Sequence, residues 1–524
     1  MQRRILGAAA ALLVVPTLVG TVPAAEDSGG GYATVPPPMR PDVPEGIEAY
    51  GEDLPLGSPS LTEDREVTEL APGLTHTAVT RGQADGVYTV NVLFTTDRTE
   101  ASQLGRELGQ DGYRHRVERI ARDIPDDPQS ASPVGWVVRT GSMGSTEEAE
   151  ELQDRLEADG HPRGAVRYTG EDGFRTSGPW EVNILEIDPD EFDGRVEPVL
   201  ANGIIPGLAT VPETAAAHDA LAAVNGGFFW VAGDDGVEGQ ITGLAVDDGE
   251  LVSSQEQVSP NTDFVDFRSA LLFQPDADPI AGIESVGAEL TVTADDETTE
   301  LDGLNRKPLD DELVQLTPAF GATTEPAAQT PPATGVEIVL DGAGEVTEVR
   351  NDRGGPIPAD GSVLIGVGTG EDWLTEHAEV GQVLQVEHAV TTAGGQELSD
   401  EVTGLVNAGP RLVTDGQQDL QPLADGFGST ESFFHSWSIS RHPRTIAGIT
   451  ADGNVFFVTI DGRQPGVSVG ASIWEAARVA LSLDAEHAVN LDGGGSSTMV
   501  VGDELLTGQP LRAIADAIVI LPQE

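Results

Sequence analysis

Two aspartates sit where chemistry could be done. The apolar run Val455–Ile460 (VFFVTI) ends at Asp461-Gly-Arg463, and the run Ala488-Val-Asn490-Leu491 ends at Asp492-Gly-Gly-Gly-Ser-Ser-Thr498. A carboxylate at the end of a buried strand can act as a base or a nucleophile, or can stabilise a cationic centre. Gly493, Gly494 and Gly495 leave backbone N–H groups open to an anion, and Ser496, Ser497 and Thr498 add hydroxyls. No lysine follows these glycines, so the loop is not a nucleotide-binding P-loop. The bland reading of the same residues is a glycine-rich turn capped by an aspartate.

A third segment, Ser440-Arg441-His442-Pro443-Arg444-Thr445, concentrates positive charge. Guanidinium forks suit phosphate or carboxylate oxygens, although these arginines could equally pair with nearby acids. Two shorter segments complete the set, Asn225-Gly226-Gly-Phe228-Phe229 after a short apolar strand and Asn407-Ala-Gly-Pro-Arg411 before another. Glycines after a strand let the backbone approach a ligand; alone, either segment reads as a turn.

The elements that must position these residues follow from periodicity. Strand 455–460, a helix over 470–483 opened by Gly470-Ala-Ser472, and a strand at 488–491 predict a strand–helix–strand unit. A normal crossover would make the two strands a parallel, neighbouring pair, with Asp461 and Asp492 beside each other past their C-terminal ends. Further strands are expected at 181–187, 221–225, 336–340, 362–367, 382–390 and 515–521, and helices at 211–223 and 373–378. Residues 290–335, with Thr, Asp and Pro clusters, read as an extended excursion. The whole of 178–524 reads as a mixed-sheet α+β domain.

Residues 86–171 hold an internal repeat at a constant offset of about 48. Val90 falls on Val138, Ala101 on Ala149, Leu104 on Leu152, Leu108 on Leu156 and Gly112 on Gly160. Each copy reads strand, helix, strand, which predicts a ferredoxin-like βαββαβ module. Residues 26–85 are Pro-, Gly- and acid-rich and read as a mostly irregular linker. Arg3 and Arg4, the apolar run from Ile5 to Val19 and the small residues to Ala25 fit a secretory signal over 1–25, which implies a secreted, extracellular or wall-associated protein. No later stretch is long and apolar enough to be expected to span a membrane.

Composition excludes several classes. There are 88 acidic residues against 28 basic ones, a net charge of −60, so nucleic acid is not an expected partner. Without cysteine there are no disulfides, thiolate metal sites or cysteine nucleophiles. The nine histidines do not pair at ligand spacing, so no protein-held metal and no cofactor are expected, and a divalent cation is left open.

Two resemblances carry these readings further. The run Trp136-Val-Val-Arg-Thr-Gly-Ser-Met143 with Ala149, Leu152, Leu156 and Asp159-Gly160 resembles the sporulation-related repeat (SPOR) domain, which implies peptidoglycan glycan strands as a partner of residues 86–171. The segments 225–229, 407–411, 441–445, 461–463 with Gly470, and 490–497 occur in the order found in the phosphodiester glycosidase family, and residues 178–524 resemble it. That resemblance implies hydrolysis of a sugar-1-phosphodiester, GlcNAc-1-phosphodiester-like, in a phosphoglycan substrate. It implies Asp492 as nucleophile or base, with Asp461 second, and Arg441 and Arg444 as the phosphate grip with Gly493–Gly495 and Ser496 or Ser497. Asn225, Gly226 and Phe228 would hold the sugar, with Arg411, His442, Thr445, Arg463, Asn490 and Thr498 lining the site. The family's Asn-Arg-Pro-Ser stretch is replaced here by Thr507-Gly-Gln-Pro-Leu-Arg512. A non-catalytic wall-binding protein and a transferase in polysaccharide assembly are the alternatives to a hydrolase.

Overall fold

The structure, a computed structural model, describes residues 46–523 apart from 122–132, 232–235, 257–261, 276 and 330–333. The expected signal over 1–25 lies outside the described residues. An eight-stranded antiparallel sheet organises the rest, in the spatial order Glu63–Ala71, Leu74–Arg81, Trp180–Ile187, Val455–Ile460, Arg444–Thr450, Ala485–Asn490, Arg411–Thr414, Gln417–Gln418. Its middle strands are covered on both faces, so their sequences are apolar almost throughout rather than alternating. Successive residues still point to opposite faces. Phe456, Val458 and Ile460 meet Trp180, Leu54, Leu56 and the helix Ile473–Ser482 on one side. Val455 and Phe457 meet Ala222, Val224, Ile518 and Ile520 of a second sheet on the other.

The helix Ile473–Ser482 starts where Ser472 accepts from the Glu475 N–H and the Glu475 carboxylate accepts from Ser472, a reciprocal capping box. Ile473, Ala476, Ala477 and Ala480 then face the core at helical spacing. The second sheet orders Glu504–Leu505, Met499–Val501, Ala222–Asn225, Asp516–Leu521 and Arg195–Leu200. It delivers the ends of its strands to the edge where Val455–Ile460 and Ala485–Asn490 also end.

Residues 88–168 form strand, helix, strand, strand, helix, strand, with an antiparallel sheet ordered His115–Ala121, Pro133–Met143, Tyr88–Thr95, Ala165–Tyr168. Asp97 and Ser145 cap its helices, Arg98–Gln110 and Thr146–Ala158. Ala101, Leu104, Leu108, Leu152 and Leu156 turn to Val90, Val92 and Val138. The unit is packed on the rest through Ile120, Val134, Val137, Phe174 and Phe434.

Four expectations are corrected. The linker is not irregular over 63–81: Glu63–Ala71 and Leu74–Arg81 form a hairpin whose second strand pairs with Trp180–Ile187, because Leu74 and Val79 bury in the two cores. The strands ending at Asp461 and Asp492 are not neighbours, because Arg444–Thr450 lies between them and pairs antiparallel with each. Both aspartates nevertheless follow the ends of strands that run in the same direction. Residues 290–335 are not an excursion, since Leu301, Leu304 and Leu313 pack in a core with Ile338 and Leu364. The helix expected over 211–223 stops at Ala217, where Asp219 turns left-handed at φ 51°, and 222–225 is strand.

Trp180 is fully buried and its Nε1–H donates to Gly470 O at 2.9 Å. Trp180→Ala should cost about 3–5 kcal/mol in urea unfolding. Trp180→Phe, which keeps a ring but orphans one carbonyl, should cost about 1–3 kcal/mol.

Candidate active site

The Asn225 side chain ties the site together. It is completely buried at the end of Ala222–Asn225. Its Nδ2 donates to Asp492 O at 2.9 Å and Gly226 O at 3.2 Å, while its Oδ1 accepts from Thr445 Oγ1 at 2.7 Å and Thr498 N at 3.1 Å. Every polar position is therefore used on the protein itself, and Asn225, Thr445 and Thr498 position loops rather than hold a sugar. Asn490 Nδ2 donates to Gly409 O at 3.0 Å and Leu491 O at 2.6 Å, while its buried Oδ1 has no partner among the described residues. Asn407, a residue the sequence made only part of a turn, accepts from Phe228 N at 2.9 Å. Phe228 is buried against Phe427, which stacks on Trp437 with ring centroids 4.4 Å apart. It lines no open surface.

Asp492 lies half-buried on this frame, with one oxygen accepting from Gly493 N at 2.8 Å. Burial raises its carboxyl, and the Gly493 N–H, Ser496 close by, Arg512 and Arg463 oppose that rise. Ser496 and Ser497 are buried, and their hydroxyls have no hydrogen-bond partner among the described residues. Two guanidinium groups lie on the glycine loop. A Cβ at Gly494 would stand 3.2 Å from Arg463 Nη2, and one at Gly495 only 2.7 Å from Arg512 Nη2, so the missing side chains make room for the arginines.

Asp461 has a different setting. It is 4% exposed, and its two oxygens accept from Thr507 Oγ1 at 2.9 Å and Gly508 N at 2.7 Å. It holds down the very loop where the sequence departs from the family pattern, and that loop leads to Arg512. Asp461 is thus a positioning residue.

The arginine-rich segment divides. Arg441 is spent on structure: its Nε and Nη2 fork onto the Glu475 carboxylate, and its Nη1 donates to Gly170 O at 2.9 Å and Phe174 O at 2.8 Å. The expected phosphate grip by Arg441 is corrected by these contacts. Arg444 donates to Ala471 O at 3.0 Å and to Trp437 O, and lies 4.8 Å over the Trp437 ring, and among the described residues no hydrogen bond engages its Nη1. Burial, then the charge of Arg463, brings it down to about 9, still a cation at neutral pH. His442 Nδ1 accepts from Arg463 Nε and Nη2 at 3.1 and 3.0 Å, so its proton is on Nε2, directed to Ser436 O. Burial and the Arg444 and Arg463 charges hold it down to about 3, so it is a neutral acceptor that fixes Arg463. Arg411 turns away, its backbone N–H on Asp425 at 3.0 Å and its Nη2 on Ile283 O at 3.3 Å.

The structure adds two features. The segment Glu431–Phe434, continued by a π-helical turn His435–Ile439, brings Trp437 over Arg444; such turns recur at functional sites. Asp516, at the start of Asp516–Leu521, accepts from Gly227 N at 2.9 Å, and a Cβ on Gly226 would come within 2.7 Å of that same oxygen. Gly226 thus admits the carboxylate. The one sequence signal was a charge inside the apolar run Ile514-Ala-Asp516-Ala-Ile518. Burial first, and the nearby Asp492 charge, push Asp516 up to about 7. Among the described residues no group of three His, Cys, Asp or Glu could hold a metal ion, and no helix is long and apolar enough to cross a membrane.

This geometry can be set beside known proteins. Residues 334–521 match the phosphodiester glycosidase family model. The matched stretch carries Arg444, Asp461, Asp492 and Asp516, and supports a glycosidase-type hydrolase. No curated protein matches the chain. Among solved structures, a Burkholderia pseudomallei protein described as exported overlays with a TM-score of 0.79 at 29% identity, covering 90% of this chain and 99% of that one, so the likeness extends beyond residues 178–524. A hypothetical protein from Synechocystis overlays at 0.54 with 18% identity, covering 88% and 76%. The zebrafish N-acetylglucosamine-1-phosphodiester alpha-N-acetylglucosaminidase catalytic domain gives 0.35 at 14% identity, covering 78% and 88%.

Asp516 predicts a pH dependence. Its carboxyl rises from 3.8 to about 7 on folding, so the folded chain keeps a proton that the unfolded chain has released. Its stabilising contribution is full below the unfolded value and is lost as pH climbs to about 7. Asp516→Asn keeps an acceptor for Gly227 but does not titrate. Its Tm relative to wild type should rise steadily between pH 4 and pH 8; a constant offset would assign the dependence to another group.

Proposed function

We propose that the protein hydrolyses sugar-1-phosphodiesters, GlcNAc-1-phosphodiester-like, in envelope polysaccharide or teichoic-acid-like polymers, releasing the free sugar and a phosphomonoester. The observation that carries this reading is Asp492, half-buried on the glycine loop and flanked by Arg463 and Arg512. Cleavage breaks the bond between the anomeric carbon and the bridging oxygen, and water supplies a hydroxyl to the carbon and a proton to the products. Positive charge develops at the anomeric carbon, where Asp492 acts as nucleophile or as base. The departing phosphate is a weak base that needs charge stabilisation more than a strong acid. Arg463, Arg512, the loop N–H groups and the Ser496 and Ser497 hydroxyls supply it, with the unspent Nη1 of Arg444. Two carboxyls that sense each other do not ionise together. Burial and the Asp492 charge hold the Asp516 carboxyl up to about 7, while the Gly493 N–H, Arg463 and Arg512 favour the charged form of Asp492 against its burial.

The chain's location follows from the same reading. Its N-terminal sequence and a structural neighbour described as exported support secretion. The strand order of residues 88–168 supports a ferredoxin-like, SPOR-like sandwich that holds the enzyme on peptidoglycan and raises local substrate concentration.

Purified protein should release free GlcNAc from UDP-GlcNAc and from a simple GlcNAc-1-phosphodiester. Asp492→Asn should lower kcat by about 10²-fold or more, and Arg512→Ala should mainly raise KM. Near-full activity in Asp492→Asn would remove the assignment. The full chain should also co-sediment with stem-peptide-stripped glycan strands; a soluble fraction unchanged by them would remove the wall role alone.

A further inference from the structure

We infer that the site continues past the scissile phosphate into a second anion subsite, where Arg167 of the N-terminal unit extends the positive surface of Arg463 and Arg512, so that the preferred aglycone bears a further phosphate. The inference rests on the reading of the site as one for sugar phosphodiesters, and it names the class of aglycone.

Arginines in this chain are surrounded by acid, 88 acidic residues to 28 basic ones, and many find a carboxylate. Arg81 pairs with Glu63, Arg139 with Asp172, Arg306 with Glu312 and Arg441 with Glu475. Arg167, Arg463 and Arg512 are exposed, and none makes an ion pair among the described residues. They also share one neighbourhood. Arg167 lies on the edge strand Ala165–Tyr168, just before a segment pinned to the arginine-rich run. Arg441 N donates to Glu171 O at 2.8 Å, and Arg441 Nη1 to Gly170 O and Phe174 O. The next residue, His442, fixes the Arg463 guanidinium. Arg167 is close enough for its charge to bear on His442, Arg463 and Glu171, and Arg463 and Arg512 bear likewise on Asp492. Glu171 makes no ion pair with Arg167 or Arg463, and burial pushes it up to about 7, which weakens it as a counter-charge.

Like charges gathered without a partner repel, and an anion relieves the repulsion. Guanidinium groups take phosphate oxygens in pairs. Arg463 and Arg512 lie on the glycine loop beside Asp492 and serve the scissile phosphate. Arg167, brought in by a separate folding unit, then meets the next anionic group of the aglycone, either a pyrophosphate partner or the following phosphate of a repeating polymer.

Calorimetric titration of the full chain with inorganic phosphate, pyrophosphate and a dimeric sugar-phosphate repeat tests this. Wild type should bind pyrophosphate or the dimer about tenfold tighter than phosphate, the scale of one further charge-assisted contact. Arg167→Glu should erase most of that advantage, and Arg155→Glu, an equal charge change on an exposed helix of the same unit, should preserve it. Equal binding of all three probes by wild type, or equal effects of the two variants, would overturn the inference. Which of the two larger probes gains separates a pyrophosphate-linked aglycone from a polymer. Binding needs no turnover, so a chain that discriminates among these probes but releases no sugar would sink the hydrolase reading and leave this one standing.

Discussion

The Asn225 amide makes four hydrogen bonds without reaching solvent, and each goes to a segment that forms the site. A buried amide left short of partners is costly, so its two donors and its acceptor oxygen impose one arrangement on everything they touch. Ala222–Asn225 belongs to one sheet and Thr445 to another, while the Asp492 loop connects them. The site is therefore an inter-sheet junction. Asn490 and Asn407 repeat the device at its edges, fixing the Gly409 turn and Phe228. Rigid support of this kind lets a loop of three glycines hold a defined geometry despite its own freedom.

Electrostatics then divides chemically identical side chains into different roles. Asp461 has both oxygens filled by Thr507 and Gly508. Asp492 accepts from the Gly493 N–H, with the Ser496 hydroxyl and two arginines nearby. Asp516 has burial opposed only by backbone N–H groups and reinforced by the Asp492 charge, which push its carboxyl up to about 7. The arginines divide in the same way. Arg441, with all three side-chain nitrogens committed to Glu475 and two carbonyls, joins the N-terminal unit to the helix Ile473–Ser482. Arg463 is instead oriented by a neutral imidazole, which fixes the guanidinium without cancelling its charge. A carboxylate in that position would have taken the charge that an anionic substrate requires.

The N-terminal unit is part of this electrostatic design. Its last strand and the turn after it touch the arginine-rich run directly, and the overlay with the Burkholderia protein covers most of the chain. A tether of independent modules would put a flexible linker at this point. Here the sequence 168–174 is instead bonded in place.

Much was legible in the sequence. The glycine loop, its aspartate, the strand before it and the helix read over 470–483 follow from local pattern: apolar runs and turn residues act over a few positions, and their physics needs no distant partner. The repeat in 86–171 was readable for the same reason, since helix faces at 3- and 4-residue spacing declare themselves. Tertiary structure alone decided what lies beside what. Nothing in the order of residues puts Arg444–Thr450 between two strands that a crossover rule makes neighbours. Nothing local shows that Arg441 would spend its charge on Glu475 while Arg512, isolated in the sequence, would reach Gly495. Asp516 stayed hidden because a lone aspartate in a strand gains meaning only from Gly227 and Asp492, more than 20 residues away along the chain and adjacent only after folding. Residue type and local spacing fix which groups are available for chemistry; long-range packing fixes which of them are left with unspent charge.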